Sequence, residues 1–292
     1  MKKHLFVINP VSGGTDKQGL IDDIHQKFSN LSYKIWKTTG KKDKENLESE
    51  LEAYQPDMVF LAGGDGTINQ LLMPIVDRNI EFSIIPSGSA NGLATDLGIS
   101  IENCLDILDN SHRTELDIIM INDNPMIHMA DLGLNATLVK RYEEENRRGF
   151  IGYAISAIKE LPAINQPFKA KIIIDGSAQE FETSFLVIAN SQRYGTGFEI
   201  NPKGKVNDGK FELCLMNELS IESIFGHLFQ DTQENSDKMM FEVLSTDQCE
   251  IELKEKVNFQ VDGEYIGTFD YLKIKPHPKS ARLILPNTIP HP

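Results

Sequence analysis

The sequence predicts two domains, an N-terminal α/β domain built on a parallel sheet and a C-terminal antiparallel β domain. Three observations predict this. Strand, turn and helix patterns alternate from residue 4 to about residue 108. After about residue 115 the chain changes to segments rich in β-branched and aromatic residues joined by Asp-Gly turns. Its 292 residues are near twice the size of a typical domain. The boundary is expected near residues 112–120, giving a first domain of 1–117 and a second of 118–282.

In order, the first-domain strands are His4 to Ile8, Tyr33 to Lys37, Met58 to Ala62 and Phe82 to Pro86. They are short and nearly continuously apolar, as suits strands covered on both faces. Between them, helical spacing places Leu20, Ile21, Ile24 and Phe28 on one stripe, then Leu47, Leu51 and Tyr54, then Ile68, Leu71, Leu72 and Ile75. In the second domain the expected strands include Lys171 to Asp175 before a turn at Gly176, Phe181 to Ala189, Lys210 to Met216, and Val257 to Val261 before Asp262-Gly263. Two helices are expected to interrupt them, Gly149 to Leu161 and Ser220 to about Phe229, the second with Ser220 as N-cap. The last apolar run, Ala281 to Leu285, fits either domain, so 283–292 can complete the first.

Composition narrows the function. A net charge of -14 with no continuous basic stripe argues against a nucleic-acid partner. No apolar run is long enough to cross a bilayer, so the expectation is a cytoplasmic protein, and the family resemblance given below implies that it acts peripherally at a membrane surface. The basic pairs Lys41-Lys42 and Arg147-Arg148 can meet anionic headgroups, but solvated surface is the better reading. Cys104, Cys214 and Cys249 lack disulfide or zinc spacing and are expected to be buried thiols. Monomer and homodimer both remain open.

Three glycine-bearing turns follow predicted strands, at the edge where open α/β sheets bind ligands. The first, Asn9-Pro10-Val11-Ser12-Gly13-Gly14, offers backbone N–H groups, the Asn9 amide and the Ser12 hydroxyl to an anion or ribose. Alone it reads equally as ordinary strand-to-helix punctuation. The second, Gly63-Gly64-Asp65-Gly66-Thr67, puts three glycines around one carboxylate, which makes sense if backbone must approach a phosphate chain. Asp65 is then available to orient a nucleotide group or a magnesium ion, the alternative being a helix cap. The third is Pro86-Ser87-Gly88-Ser89-Ala90-Asn91-Gly92. Ser87, Ser89 and Asn91 can bind phosphate or ribose there, and Ser89 can instead be the N-cap of the next helix. Together the turns read as one phosphate-binding crevice. Neither a Walker-type loop nor Gly-x-Gly-x-x-Gly follows the first strand, which disfavours a Walker-type NTPase and a dinucleotide-binding dehydrogenase.

On these motifs the chain resembles the diacylglycerol kinase catalytic-domain family, which includes bacterial diacylglycerol kinases, YegS-like lipid kinases, sphingosine kinases and ceramide kinase. The resemblance covers nearly the whole chain. It is carried by the three turns with Ile68-Asn69 and by Met129 to Asn135, Gly149 to Tyr153, Asn207-Asp208-Gly209 and Asp262-Gly263-Glu264. It implies a Rossmann-like, NAD kinase/diacylglycerol kinase-like first domain, a C-terminal β-sandwich, and an active site between them. ATP is then the phosphoryl donor, held by Gly63, Gly64, Asp65, Gly66 and Thr67 with Asn9 and Ser87 to Ser89, including Gly88. Asp262 is implied as the general base, and Asp208 as part of a structural Mg2+ site. Many bacterial members have Asn-Asp where this chain has Asn91-Gly92, which leaves the acceptor open between diacylglycerol and a sphingoid-like lipid.

Phosphoryl transfer to an alcohol needs positioning, neutralisation of charge by magnesium, and a carboxylate to take the proton. Asp65 and Asp262 offer two carboxylates from different domains, expected at opposite ends of the transferring group. Asp262 and Asp208 each also read as the Asp of an Asp-Gly turn. Glu264 is secondary, and His128 is expected to be a structural histidine with its hydrogen bonds satisfied. An apolar hollow around Phe150 to Leu161 is the candidate lipid site. NAD kinase and a non-catalytic nucleotide or lipid sensor are the competing functions.

Overall fold

The computed structural model describes residues 2–108, 111–133, 136–137, 139, 167–194, 198–216 and 241–287. The expected helices Gly149 to Leu161 and Ser220 to Phe229, and the hollow around Phe150, lie outside the described residues.

The first half runs β1 (Lys3–Ile8), α1 (Gln18–Lys27), β2 (Ser32–Lys37), α2 (Asp43–Tyr54), β3 (Met58–Gly63), α3 (Asp65–Asp77), β4 (Glu81–Pro86), α4 (Gly92–Asp96) and β5 (Ser111–Leu116). The second half contributes β6 (Ile119–Ile121), β7 (Asn124–Met126), β8 (Met129–Gly133), β9 (Phe168–Ile174), β10 (Ser177–Thr183) and β11 (Phe185–Ala189). After these come β12 (Arg193–Tyr194), β13 (Phe198–Glu199), β14 (Phe211–Met216), β15 (Phe241–Thr246), β16 (Cys249–Val261), β17 (Glu264–Pro276) and β18 (Ala281–Pro286).

The first sheet has the order β2-β1-β3-β4-β18-β5, parallel except for β5. All six residues of β3 are buried, as a central parallel strand requires. Phe6 stacks on Phe60 at 4.4 Å, and Phe28, the C-cap of α1, meets both rings edge-on. Ile68, Leu71, Leu72 and Ile75 of α3 are buried on the sheet. The chain winds outward from β1 to β2, then back past β1 to β3, so the topological switch lies between β1 and β3. In open parallel sheets a crevice forms there, at the carboxyl ends of the strands. The first two glycine turns follow β1 and β3, and the third follows the adjacent β4.

The run Ala281 to Leu285 returns to this sheet as β18, pairing parallel to β4 and antiparallel to β5. Glu81 of β4 meets Arg282 of β18 and Arg113 of β5, linking the three strands.

The second half is an antiparallel β-sandwich of a ten-stranded sheet. Its long strand β16 changes partner along its length. Glu250 to Leu253 pair with β9, and Phe259 to Val261 pair with β8. A register shift in the pairing of β16 with β17 between Glu252 and Val257 marks the change. Leu132, Ile188, Leu213, Ile251 and Phe259 fill the second core.

Two expectations change here. Phe181 to Ala189 is two strands, because the backbone breaks at Ser184. Thr183 Oγ1 accepts the Phe185 N–H and donates to its carbonyl, and β10 and β11 pair with different neighbours. The N-cap of α4 is Asn91, in the left-handed region at φ 53°, rather than Ser89. The Asn91 side chain instead accepts the Gly88 N–H and donates to the Gly88 carbonyl, closing the turn on itself.

Cys104, Cys214 and Cys249 are buried and unpaired, and burial pushes each thiol up to about 12. Among the described residues no helix is long and apolar enough to cross a membrane.

Candidate active site

The three glycine turns pack on one another. Asn9 N–H donates to the Ala62 carbonyl at 2.9 Å, and its amide donates to Thr67 Oγ1 at 2.9 Å. Ser12 Oγ donates to the Ser87 carbonyl at 2.8 Å, and Ser87 N–H donates to the Gly63 carbonyl at 3.1 Å. Gly64 and Gly88 cross backbone against backbone, so a Cβ on Gly88 collides with Gly64 Cα. Gly13 has φ 64°, and a Cβ there comes within 2.7 Å of the Ser87 carbonyl. The sequence reading gave these glycines to a phosphate. The structure shows a prior demand, since no side chain fits where the loops cross.

What remains open above this floor is the start of α3. Its N-cap, Gly64, has no side chain, and no side-chain cap hydrogen bond is made there. The first N–H groups of the helix, at Asp65, Gly66 and Thr67, have no intrahelical partner, and a helix start of this kind favours negative charge. Ser87 Oγ is buried without a partner beside it, a second donor left for a ligand. Ser89 is exposed at the turn's tip. These residues fit a phosphate chain.

The Asp65 carboxylate does not cap its own helix. Oδ2 accepts Gly92 N–H at 2.7 Å and Oδ1 accepts Leu93 N–H at 3.1 Å, so it caps α4. Each oxygen keeps acceptor capacity for one further contact.

The second domain faces this floor along α3. Glu264 lies against Gly66, where its carboxylate occupies the space of a Cβ. The His128 ring lies against Gly92, its Cε1 within 2.5 Å of where a Cβ would be, and Asp65 Oδ2 is 3.2 Å from the same point. Four residues beyond Asp65, on the same helix face, Asn69 donates to Asp262 Oδ2 at 2.5 Å and to the Pro125 carbonyl at 2.6 Å.

Asp262 is 6 % exposed and sits at φ 48° in the turn between β16 and β17. Besides Asn69, its carboxylate accepts Ile127 N–H at 2.9 Å, His128 N–H at 2.9 Å and Met129 N–H at 3.0 Å. Four donors saturate the four acceptor positions of a carboxylate. Burial pushes its pKa up to about 6, opposed by the Ile127 N–H, His128 and Asn69, while Asp65 adds to the rise. Beneath it, Gln260 donates to Asp131 and accepts the Gly263 N–H at 2.8 Å, fixing the turn.

The structure thus brings Asp65 and Asp262 together where the second domain meets α3, near enough for the Asp65 charge to act on Asp262. Asp208 sits elsewhere, on a turn held against the β5–β6 junction. Its Oδ1 accepts Lys210 N–H at 3.1 Å, and the next N–H, of Gly209, donates to Asp117 at 2.6 Å. Burial raises the Asp117 pKa, and the Asp208 charge adds to the rise. Among the described residues no group of three or more His, Cys, Asp or Glu side chains gathers as for a metal.

One expectation is overturned: His128 is not satisfied, because its Nε2 is buried without a partner. The contacts of two residues, Asn69 and His128, were not expected from the sequence. Asn69 had a signal, the four-residue spacing from Asp65, whereas the contact of His128 with Gly92 spans domains and leaves none.

Comparison with known proteins fits both halves. Residues 3–121 match the diacylglycerol kinase catalytic domain, and residues 129–285 match the YegS C-terminal NAD kinase beta sandwich-like domain. The chain belongs to the diacylglycerol kinase/YegS family. It is 26% identical over 278 residues to a diacylglycerol kinase of Bacillus subtilis, covering 91% of each chain. To a diacylglycerol kinase of Staphylococcus carnosus it is 25% identical, covering 94% of each. A crystal structure of a diacylglycerol kinase from Bacillus anthracis shares the fold, with a TM-score of 0.78 at 21% identity and 98% of each chain covered.

Proposed function

We propose that this chain is an ATP-dependent lipid kinase that transfers the γ-phosphoryl group to a hydroxyl of a diacylglycerol or sphingoid-like lipid at a membrane surface. The observation that carries this reading is the uncapped start of α3, an anion site on a glycine floor, faced across the cleft by the buried carboxylate of Asp262. Asn9, Ser12, Gly13, Gly63 to Thr67, Ser87 to Ser89 and Asn91 form the nucleotide floor, with the N–H groups of α3 on the phosphates. Asp65 and Glu264, on either side of the contact at the start of α3, would hold a magnesium ion, which would neutralise phosphate charge. We assign Asp208, with Asp117, to a separate structural metal position.

Asp262 accepts the proton of the lipid hydroxyl. Its acceptor positions are full, so one donor must leave first. Three are backbone N–H groups fixed by the fold, and the fourth is the Asn69 amide, which can swing away. The lipid O–H then donates to Oδ2 in place of Asn69. The oxygen attacks the γ-phosphorus, the bond to the β-phosphate oxygen breaks, the proton passes to Asp262, and ADP leaves. The family match of the first half supports the nucleotide role, and the related proteins named diacylglycerol kinase support the acceptor class.

The test is transfer of labelled phosphate from ATP with magnesium to mixed micelles of diacylglycerol, monoacylglycerol, phosphatidylglycerol, sphingosine or ceramide, with NAD as a soluble acceptor. Label in one lipid supports the reading. Label in NAD alone, or in nothing, sinks it.

A further inference from the structure

Lys17, just before α1, was passed over in the sequence. It is 6 % exposed. Its Nζ donates to the Ser12 carbonyl at 2.7 Å, to Thr15 Oγ1 at 3.0 Å and to the Ser87 carbonyl at 3.0 Å, so it ties the first glycine turn to the third. Ser12 Oγ makes the same crossing on the same Ser87 carbonyl. All three of its acceptors are neutral, and among the described residues no ion pair forms with it. Burial pulls its pKa below the ordinary lysine range, with the Asp16 charge in partial opposition. A buried ammonium with no ion-pair partner is costly, and it is the situation an incoming anion relieves.

We propose that Lys17 is a positioning residue for the nucleotide, locking the two loops together and placing a fixed positive charge behind the phosphate-binding floor. This rests on the nucleotide-binding reading given above. The three N–H bonds of the ammonium are already used, so the charge acts across the loops and not by a direct bond to phosphate. Its effect therefore grows with the charge of the ligand. A purely structural lysine would affect adenosine and ATP alike.

The test is equilibrium binding of ATP, ADP and adenosine, with magnesium, to the wild-type chain and to Lys17→Gln, Lys17→Met and Lys17→Arg. Glutamine keeps a donor for the loop carbonyls and removes the charge, whereas arginine keeps the charge. The expected result is ATP affinity about tenfold weaker in the Gln and Met variants, ADP less affected, adenosine unchanged, and most of the loss recovered in the Arg variant. If the Met variant does not fold, the Gln and Arg pair carries the comparison. Unchanged ATP affinity in Lys17→Gln, or an equal loss for adenosine and ATP, overturns the proposal while leaving the nucleotide site intact. A wild-type chain that binds none of the three removes the nucleotide reading and this proposal with it.

Discussion

The two domains each bring one carboxylate to the contact along α3 and hold it differently. Asp65, on the glycine floor, accepts two N–H groups and keeps an open position on each oxygen. Asp262, in the β-sandwich, accepts four donors and has none open. The first arrangement suits a group that binds a cation or a ligand without moving. The second suits a group kept covered until one donor is displaced. Only the Asn69 amide can be displaced without unfolding backbone, and Asn69 sits on α3, the helix whose start forms the anion site. The covered carboxylate is thus latched by the nucleotide domain.

The largest effect that would break this contrast is expected from Asp262→Asn. Loss of the proton acceptor should lower turnover about a thousandfold with nucleotide affinity retained, measured by steady-state kinetics and equilibrium binding. The same variant has a stability signature. The folded pKa of Asp262 is raised to about 6, so its contribution is full below the unfolded carboxylate range and is lost as pH rises through 6. Denaturation curves should show wild-type stability falling between about pH 4 and pH 6, a slope that the variant lacks. Next in size, Gly88→Ala drives a methyl into Gly64 and should destabilise the first domain by about 1–3 kcal/mol and weaken ATP binding, read by thermal unfolding and calorimetry. The smallest effect is expected from Asp65→Asn. Its amide can still accept one of the two α4 N–H bonds, so stability should fall by about 1 kcal/mol while magnesium-dependent ATP affinity falls about tenfold.

Much of the first domain was legible because its signals are local. Each short apolar run became a strand, each stripe a helix face, and each glycine turn closed a strand of the parallel sheet. The reason for the glycines was not legible, since Gly64 and Gly88 meet only after β3 and β4 pair. Asp65 likewise turns to a helix 27 residues away, and Asn69 reaches a carboxylate 193 residues away. In the β-sandwich, alternation identified strands but not their breaks. The side chain of Thr183 ends β10, and a register shift interrupts the pairing of the 13-residue strand β16. The burial that raises the Asp262 pKa comes from backbone wrapped around it, and an Asp-Gly turn in the sequence carries no sign of that.

The most direct measurement is the pH dependence of kcat/KM for phosphoryl transfer to lipid, compared between the wild type and Asn69→Ala. The latched-carboxylate account predicts an acid limb near pH 6 in the wild type, where protonated Asp262 cannot accept the lipid proton. It predicts a limb moved to higher pH in Asn69→Ala, because the amide that favours the charged form is gone. A wild-type rate that stays flat through pH 6, or a limb that Asn69→Ala leaves in place, would contradict it.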